Sequence, residues 1–276
     1  MIQILDSSVT NKTRKQEWLL DYDQLRIIEC LARSPDVYTY PSLDQLKFEG
    51  KLRSHIVSSA KKLYRSGTEF AVFKDSRCNP RYWTLTDKGG FRLNEDVKPS
   101  EGIRDIFING HMYAFECATA VVIVYYKGVL ESIGSENFNR LFPSILLFDG
   151  VYDEKLGITW GKHVEYLPGD IQYFKNPEYN PKTPEWQGEN VVLLENHLYF
   201  AYGIGITTKK QVIAHLNKER IPGATTSAYL IDEAARPDFS YLSQYDQSES
   251  NPLAGRTASE RSFTIAHIGT TLFVCR

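Results

Sequence analysis

Apolar positions in the first third of the chain recur at helical spacing. Leu46, Leu52, Ile56, Ala60 and Leu63 predict a long amphipathic helix, opened by Ser42-x-x-Gln45, which fits a capping box, and stopped by Gly67. A shorter helix is predicted over 23–33. Tyr82-Trp83-Thr84-Leu85 and Phe91-Arg92-Leu93 flank Asp87-Lys88-Gly89-Gly90 and predict a hairpin. Pro99 and Ser100 open a further helix that carries Ile103, Ile106 and Phe107 and closes at Asn109-Gly110. From 111 to 130 the chain is apolar for too long to be an ordinary strand. Ala118, Val121, Val122, Tyr125 and Val129 share one helical face there, which predicts a buried helix with Cys117 at its start.

After about Leu147 the pattern changes to strands. Leu167-Pro-Gly-Asp170 is a type II turn signal feeding a strand over 171–174, and 191–194 and 198–201 flank Glu195-Asn196 as a second hairpin. A helix over 209–219 and a strand over 225–230 complete a second half built on a small antiparallel sheet or barrel. The fold class is α+β. Residues 244–262 are polar and rich in Ser, Gly, Pro and Asn, which predicts a mobile linker before a last strand over 263–274. One catalytic domain over 1–243, with its core at about 100–235, and a flexible tail over 244–276 are expected.

Composition narrows the function. With 276 residues and 42% hydrophobic content the chain can bury a sizeable core. Lys+Arg 32 against Asp+Glu 34 leaves a net charge of -2, so no overall field points to nucleic acid or an anionic membrane as partner. The longest apolar stretch falls short of the ~20 residues of a membrane span, and Met1 is not followed by a signal-peptide pattern, so synthesis in the cytosol without secretory export is expected. Cys30, Cys78, Cys117 and Cys275 form no C-x-x-C pair and no zinc-like spacing with histidine, so neither a metal nor a cofactor is expected.

Chemistry converges on Cys117. A thiol at a helix start feels the positive end of the macrodipole and nearby N–H donors, which lowers its pKa and supplies half of an oxyanion hole. By position alone a cysteine among Ala and Val reads as core filler. The order around it carries more: an apolar helix opened by Cys, then Leu-Pro-Gly-Asp and a strand, then a polar residue opening a hairpin. This order resembles the papain-related NlpC/P60 cell-wall peptidases, in which a histidine stands where this chain has Glu189. With glutamate there, Tyr113-Ala-Phe-Glu-Cys-Ala-Thr-Ala120, Tyr173-Phe-Lys-Asn-Pro-Glu178 and Trp186-Gln-Gly-Glu-Asn190 resemble the bacillar spore-coat transglutaminases, over about 23–242.

The resemblance implies an NlpC/P60-like core and acyl transfer without metal or nucleotide. It assigns Cys117 as nucleophile, Glu189 as its acid partner and Glu116 as a partly interchangeable second acid. Phe70 and Trp186 fall to an aromatic substrate tunnel, with Tyr202 on the same wall. It also implies protein substrates with accessible Gln and Lys, spore coat proteins among them, and a protein made in the mother cell and assembled on the spore coat. Two departures stand out: the family's Asp-Trp pair reads Asp149-Gly150 here, and a family histidine reads Tyr202.

If Glu195-Asn196 is a two-residue loop, Leu194 faces His197 and Glu189 faces Tyr202, whose hydroxyl could then fix the carboxylate. A slip by one residue leaves Tyr202 as packing. A carboxylic acid of pKa about 4.3 is a poor base for a thiol of about 8.5 unless burial raises the first or the helix lowers the second. Two further readings are a thiol peptidase or amidase, which Gly150 favours, and a coat structural protein weakened by Tyr202.

Overall fold

The computed structural model describes residues 1–5 and 22–246 with their side chains, and the backbone of two strands, Phe263–Ile268 and Thr271–Cys275. Among the described residues there are six α-helices, numbered in chain order. α1 (Tyr22–Arg33) and α2 (Leu43–Arg65) are followed by α3 (Pro99–Ile108), α4 (Cys117–Leu141), α5 (Lys209–Lys218) and the short α6 (Phe239–Ser243).

Helix α4 is the axis of the molecule. Its valines, isoleucines and tyrosines are buried on all sides, which is why its sequence shows little polar face. It runs beyond the apolar stretch to Leu141, across a break at Gly134 (φ 77°). By length and composition it could cross a membrane; here α2, α3 and a strand of the sheet cover it instead. Ser42 caps α2, accepting the Gln45 N–H at 3.2 Å, but the Gln45 side chain donates to Ser240 of α6, so the expected capping box is only half built.

The main sheet has seven strands and antiparallel pairings throughout. Gly188–Leu193 lies between Ile171–Lys175 and Leu198–Ala201. Alternation along it divides two cores: Val192 packs with α2 and α4, while Val191 and Leu193 pack with Phe174, Val212 and Leu216. The α+β class and the helix-opening cysteine on an antiparallel sheet stand as expected. The strand expected over 225–230 is shorter, Tyr229–Leu230.

A buried ion cluster holds helices and sheet in register. Arg53, fully buried in α2, donates to Glu49 and Asp170, each at 2.8 Å, and Arg236 grips both oxygens of Asp170 at 2.8 and 2.7 Å. Burial pushes the Asp170 carboxyl up, but the two guanidiniums outweigh it and hold it below the usual carboxylate range. Asp170 closes the predicted turn, whose Gly169 takes φ 91°, the value a type II turn requires of its third residue. Tyr125 of α4 donates to the carbonyls of Gly169 and Ala235, so the turn is tied to the nucleophile's helix as well.

The chain's beginning and end meet. Ile2–Ile4 pairs parallel with Tyr38–Tyr40 and antiparallel with Phe263–Ile268, which in turn pairs with Thr271–Cys275. Thus two paired strands, not one, stand in the region expected to be a flexible tail, because Ile2–Ile4 supplies them with an edge. The polar stretch over 247–262 lies outside the described residues.

Candidate functional site

Cys117 is the first residue of α4, and Glu116 is its N-cap, with extended backbone (φ -94°, ψ 175°). The Glu116 carboxylate turns back over the helix start and accepts the N–H of Thr119 at 2.8 Å and that of Ala118. The Glu116 carbonyl accepts the Ala120 N–H at 3.0 Å. The N–H groups of Ala118, Thr119 and Ala120 are thus satisfied, and that of Cys117 has no partner among the described residues.

Glu189, in the Gly188–Leu193 strand, is 0% exposed, and neither of its carboxylate oxygens has a hydrogen-bond partner. The Cys117 thiol and the Tyr202 N–H face it as donors, too far or too oblique for a full hydrogen bond, and pull its proton affinity down, while the Glu116 carboxyl pushes it up. Burial, and then Glu116, push the Glu189 carboxyl well above its ordinary range. Glu116 is itself pushed up by burial, against the opposing pull of its capping bonds.

The thiol does not behave as a bare helix start predicts. Burial, and then the negative charges of Glu189 and Glu116, push Cys117 well above the usual thiol value, and the N–H and side-chain amide of Asn190 offset only part of this. Two carboxylates and 8% exposure therefore outweigh the helix dipole. Cys117 and Glu189 share proton affinity as a pair, and the upward shift of the acid favours its taking a proton from sulfur while the upward shift of the thiol opposes it.

The register differs from the two-residue loop. Val191 pairs with Ala201 and Leu193 with Tyr199, and the Leu194 N–H donates to the Leu198 carbonyl at 2.8 Å. The loop is three residues, Glu195–His197, with Asn196 (φ 58°) and His197 (φ 57°) left-handed. One step further down the ladder Tyr202 faces Asn190, and Glu189 is out of register with it. The Tyr202 hydroxyl donates instead to the Glu69 carbonyl at 2.8 Å.

Tyr202 nevertheless belongs to the site's wall. Its ring stacks on Phe115 at 4.9 Å and stands 6.3 Å from Phe70, which in turn stacks on Trp186 at 5.3 Å. Phe70 reaches this place because Glu69–Phe70 pairs parallel with Ala114–Phe115, the two residues before the nucleophile's cap. Asp149 and Gly150 are both left-handed (φ 46° and 69°), and a Cβ on Gly150 would meet only Ala118, at 3.6 Å, so the wall is open on that side. His111, the histidine nearest Cys117 in sequence, lies exposed in a short 3-10 turn.

The six residues singled out from the sequence form two neighbouring sets, Cys117, Glu116 and Glu189 at the helix start and the ring chain Trp186, Phe70 and Tyr202, which reaches it through Phe115. Two others were missed. Asn190 places Nδ2 3.6 Å from Cys117 Sγ. Tyr173, its cross-strand partner, lies half-buried beside the thiol and Glu189, and burial, then their charges, push its phenol up to about 12. Gly188 makes room for that ring, since a Cβ there would meet the Tyr173 hydroxyl at 2.0 Å. A signal existed in the sequence: Asn is disfavoured in strands, and Asn190 stands directly before two valines.

Comparison with known proteins gives this geometry its context. A family profile for protein-glutamine gamma-glutamyltransferases matches residues 1–246. A protein of that name from Bacillus cereus is 42% identical over 226 residues, 82% of each chain, and one from Bacillus mycoides is 43% identical over 223 residues, 81% of each. The solved structure of a transglutaminase from Geobacillus stearothermophilus, without its C-terminal extension, superimposes with TM-score 0.73 at 50% identity, covering 76% of this chain and all of that one. With the family profile spanning the nucleophile, both acids and the aromatic wall, the chain belongs to the protein-glutamine gamma-glutamyltransferases, acyltransferases that cross-link proteins.

Proposed function

We propose that Cys117 carries the acyl group and that Glu189 moves the protons. Glu189 takes the thiol proton, and Sγ adds to the carbonyl carbon of a glutamine γ-carboxamide. The tetrahedral intermediate collapses to a thioester, and ammonia leaves with the proton returned by Glu189. A lysine ε-amine then attacks the thioester, gives up a proton to Glu189, and sulfur leaves as the isopeptide bond forms. The observation that carries this reading is the buried Glu189 carboxyl, with no hydrogen-bond partner of its own, beside a thiol at a helix start.

Glu116 holds the helix start and is the second acid of the site. Phe70, Trp186 and Tyr202 wall the approach, keep water from the thioester and favour thin, flexible glutamine and lysine side chains. Incubation with a glutamine-containing protein and a fluorescent primary amine tests the reading. Labelling of the protein supports it; ammonia release without labelling shows a hydrolase, and neither outcome with folded protein shows a scaffold.

Spore coat proteins are the proposed substrates, with synthesis in the mother cell and assembly on the coat. The Bacillus relatives and the spore-coat resemblance of the site motifs support this. Imaging a fluorescent fusion in sporulating cells tests it: a ring around the spore supports the assignment, and a label spread through vegetative cells contradicts it.

A further inference from the structure

Asn190 is fixed more firmly than a polar loop residue would be. It sits in the interior of the sheet, the Cα partner of Tyr173 on one side and one register step from the Val191–Ala201 pair on the other. Its Nδ2 lies 3.6 Å from Cys117 Sγ, within donor range of a sulfur acceptor, and that contact is the amide's one protein partner among the described residues. The amide therefore bonds no backbone group among the described residues; it is aimed at the reacting atom. Its backbone N–H faces the same sulfur. At the helix start the Glu116 carboxylate takes the Ala118 and Thr119 donors, and the Cys117 N–H has no partner among the described residues.

We propose that Asn190 is a catalytic residue, donating from Nδ2 to the Cys117 thiolate and, together with the Cys117 N–H, to the oxyanion that forms when sulfur adds to the glutamine carboxamide. The proposal rests on Cys117 being the nucleophile. In the addition, the S–C bond forms and the carbonyl π pair moves onto oxygen, which the two N–H donors meet. In the collapse that pair re-forms the carbonyl, the C–N bond breaks, and nitrogen leaves as ammonia with the proton held by Glu189. Donors on a strand and a helix start need no reorganisation as charge develops, and this is the condition under which such bonds contribute most. The site needs them, because the ionisable groups facing the sulfur are Glu189, Glu116 and Tyr173, all of which are neutral or negative.

Two neutral variants, Asn190→Ala and the near-isosteric Asn190→Leu, test this, the second keeping the side-chain volume should the first fail to fold. The pH dependence of Cys117 alkylation by iodoacetamide, read at that residue by mass spectrometry, reports the thiolate without requiring turnover. Its midpoint is expected to rise by about one pH unit or more in both variants. Turnover in amine incorporation is expected to fall about 10²-fold, with little change in KM for the glutamine substrate. An unmoved alkylation midpoint overturns the proposal, whether or not turnover falls, since a merely structural residue would slow the enzyme without touching the thiol. If wild-type protein incorporates no amine, the acyl-transfer reading fails, while the alkylation arm still decides whether Asn190 stabilises the thiolate.

Discussion

Phe70 lies nearly flat on Trp186, ring centroids 5.3 Å apart and planes 18° from parallel. The two residues come from opposite ends of the catalytic half, Phe70 from the strand beside the nucleophile's cap and Trp186 from the turn that leads into Glu189. Their contact joins the acid's segment to the sulfur's segment, and in the proposed mechanism this pair is the roof of carbon over the thioester.

Removing that roof should admit water. In Phe70→Ala and Trp186→Ala the ratio of ammonia released to amine incorporated is expected to rise several-fold above wild type. Loss of the ring pair itself costs about 1 kcal/mol beyond the lost burial. Parallel assays of ammonia and fluorescent amine measure the ratio. An unchanged ratio would mean that the pair does not shield the thioester.

Glu189→Gln should separate thiol reactivity from turnover. Amine incorporation is expected to fall about 10²- to 10⁴-fold with loss of the base. Alkylation of Cys117 should instead move to lower pH, because the Glu189 charge helps to hold the thiol up. Its stability should change with pH in a definite sense. Folding raises this carboxyl above its unfolded value of about 4.3, so the folded state holds the proton more tightly. The cost of burial is absent at lower pH and grows as pH rises through the folded value. Melting of Glu189→Gln should match wild type near pH 4, exceed it increasingly as pH rises from there toward the folded value, and hold a constant excess above it.

Glu116 has two duties that substitution can divide. Glu116→Gln keeps an acceptor oxygen for one of the two capped N–H groups but loses the acid, so turnover should fall modestly while melting falls by less than in the alanine variant. Glu116→Ala loses both and should destabilise the protein by about 1–2 kcal/mol. Thermal melting set beside turnover checks this. Equal melting losses in the two variants would remove capping as the cause.

Tyr202→Phe should cost about 1 kcal/mol through loss of the bond to the Glu69 carbonyl. The pH profile of turnover should stay in place, because that hydroxyl does not face Glu189. A displaced acid limb would restore Tyr202 to the dyad.

Much of this site was legible because its motifs are local. Glu116 and Cys117 are adjacent, the Leu167–Asp170 turn is written in Pro and Gly, and the helix of Cys117 is written in a long apolar run. Tyr202 was misplaced because Glu-Asn-His contains no glycine to mark a left-handed position, and two non-glycine residues adopt one in succession. Ser42 and Gln45 read as a capping box, yet Ser240, far along the chain, takes the Gln45 amide; the complete box is at Thr208 and Gln211. Thiol protonation was illegible for a similar reason. The helix start is local, but the burial that overrides it comes from packing. Ile2–Ile4 was too short to show a period, and one of its partners lies at the other end of the chain.

The most direct test of the central claim is the intact mass of the enzyme after mixing with a glutamine peptide, without amine, and quenching in acid. An acyl-enzyme heavier by the peptide less one ammonia, mapped to Cys117 and discharged by added primary amine, is the predicted result. Amine incorporation that proceeds with Cys117 unmodified, or that persists in Cys117→Ala, would contradict it.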